Sequence, residues 1–206
     1  MRWLLVMMAW VIAMPLWGAD FETELNGIQQ RWAEIQYQLP EAKQEKAFAD
    51  LATDLEAFVA RHNDRAEPLI WQGVVLSTYA GAKGGLGALG LVKDARKSLE
   101  AALAIDADAL DGSAYTSLGS LYYQVPGWPL AFGNDDKARD YLQKALAINP
   151  EGIDANYFFG DFLLEQGEPE RARAYFRKVL QAPARPGRSV ADAGRREQAR
   201  KRLEAN

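Results

Sequence analysis

The chain contains no cysteine and a single histidine, His62, among 206 residues. The first absence removes disulfides, thiolate metal sites and thiol nucleophiles, so the fold is expected to rest on packing alone. It also excludes a lipid anchor built on a thiol, so no stable membrane anchor is expected. The lone histidine lies in "ARHND" at the end of a helical pattern, where a cation is favoured by the helix dipole, and reads as a capping or surface residue. No H-x-x-x-H pair, no nucleophile elbow and no pair of buried acids stands out. The sequence therefore offers no enzyme machinery, no metal ligand set and no cofactor motif that holds in context.

Basic charge is also in short supply. Formal net charge is −4, which disfavours nucleic acid and anionic membrane surfaces as partners. Apart from "LIWQGVVLSTY", which could pass for a buried strand, no segment alternates or runs β-branched long enough to supply strands. That absence decides the reading of "GAKGGLGALG", residues 81–90. Gly85, Gly87 and Gly90 spell the G-x-G-x-x-G of a dinucleotide-binding loop, and Asp106 follows near where such folds place a ribose-binding acid. Without parallel strands to build the fold, the motif carries no nucleotide function.

At the amino terminus, Arg2 precedes the apolar run "WLLVMMAWVIAM", then Pro15 and the small residues Gly18 and Ala19. The run is about twelve residues long, short of the roughly twenty that span a bilayer. This layout predicts a secretory leader over residues 1–19, cleaved after Gly18 or Ala19, and a periplasmic mature chain, 20–206, forming one domain.

What the sequence has in abundance is self-similarity. "AYTSLGSLYY" followed by "KARDYLQKALAINP" aligns with "ANYFFGDFLL" followed by "RARAYFRKVLQAP". Leu118, Gly119 and Tyr122, then Ala138, Leu142, Ala145 and Pro150, match the tetratricopeptide signature of two antiparallel helices closely packed on small residues. Ala95, Leu99, Ala102 and Ala107 keep the same spacing, as do Leu51, Leu55, Phe58 and Asn63. The fold class is therefore all-α, a solenoid of about four helix pairs, with the basic segment "RREQARKRLE" as a polar C-terminal capping helix. Repeats two and three run long. Their insertions are expected between the paired helices, at "GAKGGLGALG" and "VPGWPLAFG".

Register from the repeat glycines places Ile70, Val74, Ser77 and Thr78, then Thr116, Ser120, Tyr123 and Gln124, then Tyr157, Asp161 and Leu164 on the concave face. Such a mixed surface suits a small organic ligand or an extended peptide, or stays a solvated groove. Trp128 and Phe132 sit in an insertion, where they either contact a ligand or plug the solenoid's end. Gly84, Gly85 and Gly87 either admit backbone approach to a ligand or simply allow a tight turn.

The stretches "YAGAKGGLGAL", "ALDGSAYTSLGSLYYQVPGWPLAFG" and "ALAINPEGIDANYFFGDFLLEQG" resemble the TatT-type T-component of tripartite ATP-independent periplasmic (TRAP) transporters over roughly residues 70–170. That resemblance implies a tetratricopeptide adaptor that assembles as a homotrimer, docks with the transporter's periplasmic substrate-binding protein and offers a cleft for a small hydrophobic ligand. It nominates Lys83, Tyr123, Trp128 and Tyr157 for that cleft. The type case is a lipoprotein, and this chain lacks the cysteine. The rival expectation is a general cell-envelope scaffold whose groove holds a peptide or protein partner.

Overall fold

The computed structural model describes the backbone of residues 16–205 and the side chains of 20–205. The expected leader therefore lies outside the described residues up to residue 15. Residues 16–19 contribute backbone to the first turn of α1.

Among the described residues there are nine helices and no strand: α1 (Leu16–Gln38), α2 (Glu41–Arg61), α3 (Ala66–Lys83), α4 (Ala88–Ile105), α5 (Ala109–Gln124), α6 (Asp135–Ile148), α7 (Ile153–Glu165), α8 (Pro169–Gln181) and α9 (Ser189–Ala205). They pair as α1/α2, α3/α4, α5/α6 and α7/α8, with α9 following, as the repeat spacing predicts. Local chemistry fixes several boundaries. Asn134 caps α6 by accepting the Lys137 N–H at 2.8 Å, with Asp135 and Asp136 in the first turn beside the free amides. Pro169 opens α8, where its missing N–H costs nothing. His62 terminates α2, its ring packed between Phe21 and Phe58.

The repeat residues form the core. Ala95, Leu99 and Ala102, then Ala138, Leu142 and Ala145, then Ala172, Phe176 and Val179 are buried on the second helix of successive pairs. Opposite them, the repeat glycines leave no room for a side chain. A Cβ on Gly73 would stand 2.4 Å from Leu99, and one on Gly119 would stand 2.5 Å from Leu142. The absent methyl is what lets paired helices approach so closely.

One expectation needs correction. The ten extra residues of repeat two are not a loop: α3 and α4 are each 18 residues long, against 13 for α7 and α8. Only 84–87 turn, with Gly84 and Gly85 at φ of +65° and +59°. Alanine and leucine between the glycines are good helix formers, so the insertion lengthens the hairpin. The tight-turn reading of Gly84 and Gly85 is the one realised, and the G-x-G-x-x-G motif has no strand before it. In repeat three, by contrast, Pro126 and Pro129 keep 125–134 out of helix.

The solenoid closes on itself. The inner helices α1, α3, α5, α7 and α9 each touch the next, and α9 returns to pack on α1. Ala191 joins the apolar core built by α1 and α2, whereas Ala199, two turns on, joins the core of the later repeats. A Cβ on Gly194 would stand 2.2 Å from the Tyr37 ring. Arg188 donates to Gln29 Oε1 at 3.3 Å across the same seam.

Candidate functional site

Closure turns the concave face into a cavity of about 730 Å³. Helical periodicity explains which side chains reach it: Ile70, Val74, Ser77 and Thr78 recur at three- and four-residue steps along one face of α3. Thr116, Ser120 and Gln124 do so on α5, and Tyr157, Phe158 and Asp161 on α7. Entry to α5 runs through Leu110, Asp111 and Gly112 in left-handed conformation, with φ of 49°, 56° and 73°. This bend sets Leu110 and Asp111 on the wall. They also border a smaller adjoining recess of about 270 Å³.

Of the residues nominated from sequence, Val74, Ser77, Thr116, Ser120, Tyr157 and Asp161 are brought together around the cavity. Lys83, Tyr123, Trp128 and Phe132 are not. Lys83 ends the lengthened α3, beyond the rim, 3.4 Å from Glu45. Tyr123 lies one residue from the lining Gln124, a rotation of about 100° on the helix, and stands behind Asp161, donating to its Oδ2 at 2.9 Å. Burial, reinforced by Asp161, pushes the Tyr123 hydroxyl well above its ordinary range, so it stays a donor. Trp128 is 89% exposed on the α5–α6 loop, and therefore neither touches the cavity nor plugs it. Phe132 turns back onto Tyr122 at 5.3 Å and lies 4.4 Å from the Arg96 guanidinium.

Two elements of the wall escaped the sequence reading. From α1 come Gln29, Trp32, Gln36 and Tyr37; Trp32 donates to Thr78 Oγ1 at 3.2 Å and meets Trp71 edge-on at 5.7 Å. From the C-terminal segment come Arg185, Arg188, Arg195, Gln198 and Arg202. Thus α9 is more than a polar cap, because its arginines face inward while Ala191 and Ala199 are buried.

These arginines organise one end of the cavity. Asp154, in the first turn of α7, receives Arg185 Nη1 at 2.7 Å and Arg195 Nε at 2.8 Å. Burial alone would raise its pKa, but Arg195 and Arg185 overcome that and hold the carboxyl well below the usual carboxylate range. Arg185 also holds Asp192, donating from Nε at 2.8 Å, and Arg202 pairs with Asp161 at 2.7 Å. Arg195 lies 4.5 Å from the Tyr157 ring and 4.6 Å from that of Phe158. Among the described residues, no group of three or more His, Cys, Asp or Glu is placed to hold a metal ion. None of the helices described is long and apolar enough to cross a membrane.

Comparison with known proteins agrees with this architecture through one family profile. The tetratricopeptide-repeat profile matches residues 130–186, covering repeat four and the second helix of repeat three. No curated protein matches the chain. Among solved structures, one described as the crystal structure of MamA is 22% identical, covers 79% of this chain and 89% of its own, and superposes with a TM-score of 0.46. A second, described as the crystal structure of MamA protein, is 21% identical over 90% of each chain, with a TM-score of 0.46. The fold is an all-α tetratricopeptide-repeat solenoid.

Proposed function

We propose that the protein is a non-catalytic binding scaffold that engages a protein partner through its helical repeats. The observation that carries this reading is the set of five inner helices, which present aromatic, hydroxyl and amide side chains to one shared lumen. Repeat surfaces of this kind hold extended segments by contacts from successive helices. Site-specific photo-crosslinking tests it: a benzophenone side chain placed at Ser120 in the lumen, at Trp128 on the loop tip or at Lys97 on the outer helix α4 reports which face meets a protein. An adduct of protein mass from Ser120 or Trp128, with none from Lys97, supports the scaffold. Absence of adducts at all three positions, in the native cell envelope, contradicts it.

A second reading is favoured by ring closure itself. A lumen ringed by α1, α3, α5, α7 and α9, at about 730 Å³, lies within the volume range of small-molecule sites. This is the arrangement that the transporter T-component resemblance anticipates: a compact, largely apolar ligand held inside a periplasmic adaptor that docks, as a homotrimer, with a substrate-binding protein. Native mass spectrometry of the protein purified from its own cell reads both the subunit count and any retained small mass. Ser120→Trp, which fills the lumen, should eject that mass. A bare monomer in both forms argues for the scaffold alone.

A further inference from the structure

The arginines at the cavity's end are not equally committed. Arg185 serves Asp154 and Asp192, Arg195 serves Asp154 and Gln198, and Arg202 serves Asp161. Arg188 alone among the lining arginines has no carboxylate within ion-pairing distance among the described residues. Its single protein acceptor among them is Gln29 Oε1, at 3.3 Å. Among the described residues its Nε has no acceptor, and neither does Nε1 of Trp71, over whose ring the guanidinium lies at 5.0 Å. Burial and then Arg185 push the Arg188 pKa down, as expected where carboxylates do not balance the cations. The carboxylates of Asp154 and Asp192 are taken up by Arg185 and Arg195, and neither pairs with Arg188.

A guanidinium carries five donors in a planar fork that fits a carboxylate edge on. Arg188 lies over the Trp71 ring, which Trp32 meets edge-on, and Val74 lines the same lumen. We infer that the cavity binds a small amphipathic carboxylic acid, its carboxylate on Arg188 and its apolar body against Trp32, Trp71 and Val74. The inference rests on the compact-ligand reading above. A free acid rather than a chain terminus is assigned because a volume of about 730 Å³ matches a small-molecule site.

The test is calorimetric titration of the intact protein with straight-chain acids of six to twelve carbons and with 3-phenylpropanoate, each paired with its primary amide. Acids should bind at least about tenfold more tightly than their amides, the range expected for hydrogen bonds to a charged group. Arg188→Gln should abolish that preference while leaving amide affinity within about twofold, and Arg188→Lys should retain part of it. If Arg188→Gln does not fold, the acid-to-amide ratio in the unmodified protein still decides. Equal binding of acids and amides overturns the carboxylate assignment and leaves the cavity reading standing. No binding of any acid or amide overturns both. An N-acetylated apolar tetrapeptide with a free carboxyl terminus that outbinds every free acid overturns the small-acid assignment in favour of a chain terminus.

Discussion

Gly119 on α5 lies against Leu142 on α6 so closely that a Cβ at position 119 would stand 2.5 Å from Leu142 Cγ and 3.2 Å from its backbone nitrogen. The side chain can shift a little, but the backbone of α6 cannot yield without separating the two helices. Gly119→Ala should therefore destabilise the protein by about 1–3 kcal/mol. Gly90, inside α4, has nothing within 4 Å of its would-be Cβ. Gly90→Ala should stabilise by up to about 1 kcal/mol, since only helix propensity changes. Urea denaturation of both variants checks the pair, and equal effects would deny the packing role of the repeat glycine.

Asp154 should make stability depend on acid. Its pKa is depressed in the folded protein, so its contribution is fully present above the unfolded carboxylate value of about 4 and is lost as pH falls toward the folded value. Asp154→Asn leaves Arg185 and Arg195 undercompensated. A third of the Asp154 side chain is open to the lumen, which moderates the loss to about 1–3 kcal/mol at pH 7. Denaturation midpoints at pH 7 and pH 3 should show the gap between the Asp154→Asn variant and the unmodified protein closing with acid. A gap that stays constant would mean that the carboxylate charge is not what holds the arginines.

The α5–α6 loop separates packing from exposure. Phe132→Ala removes a ring held by Tyr122 and Arg96 and should cost about 1–3 kcal/mol. Trp128→Ala removes a ring that touches little and should change stability by less than about 0.5 kcal/mol. Thermal midpoints of the two variants distinguish them directly. A large loss for Trp128→Ala would show the indole buried against the protein.

The four helix pairs were legible because Ala138, Leu142 and Ala145 recur, in kind and spacing, at Ala95, Leu99 and Ala102 and again at Ala172, Phe176 and Val179. Register counted from Gly73, Gly119 and Gly160 reached nine of the lumen's lining residues, all on α3, α5 and α7, since helical periodicity is local. It strayed at Tyr123, next to Gln124, which does face inward, and at Leu164, which packs against the core of the later repeats. The rest depends on contacts far apart in the chain. Gln29 and Arg188 are separated by 159 residues, and nothing in the local pattern of α1 or α9 announces that they meet. The first and last helices also lack the glycine that anchors the register of the others. Gly194 was the available signal: a glycine inside a helix costs stability unless something must come close, and here that is the ring of Tyr37. The resemblance to a transporter T-component points to residues such as Lys83 and Trp128 that the structure places outside the cavity.

The cavity and the ligand proposed for it both depend on ring closure, and the cysteine-free chain allows that closure to be tested cleanly. A Cβ at position 194 would stand 2.3 Å from Tyr37 Cγ, which puts the two Cβ atoms within the roughly 4 Å that a disulfide bridges. Tyr37→Cys combined with Gly194→Cys should oxidise to an intramolecular disulfide, seen as a mass loss of about 2 Da and faster migration without reductant. Two thiols that remain free and fully alkylatable under the same oxidant would contradict the closed ring and leave an open solenoid in its place.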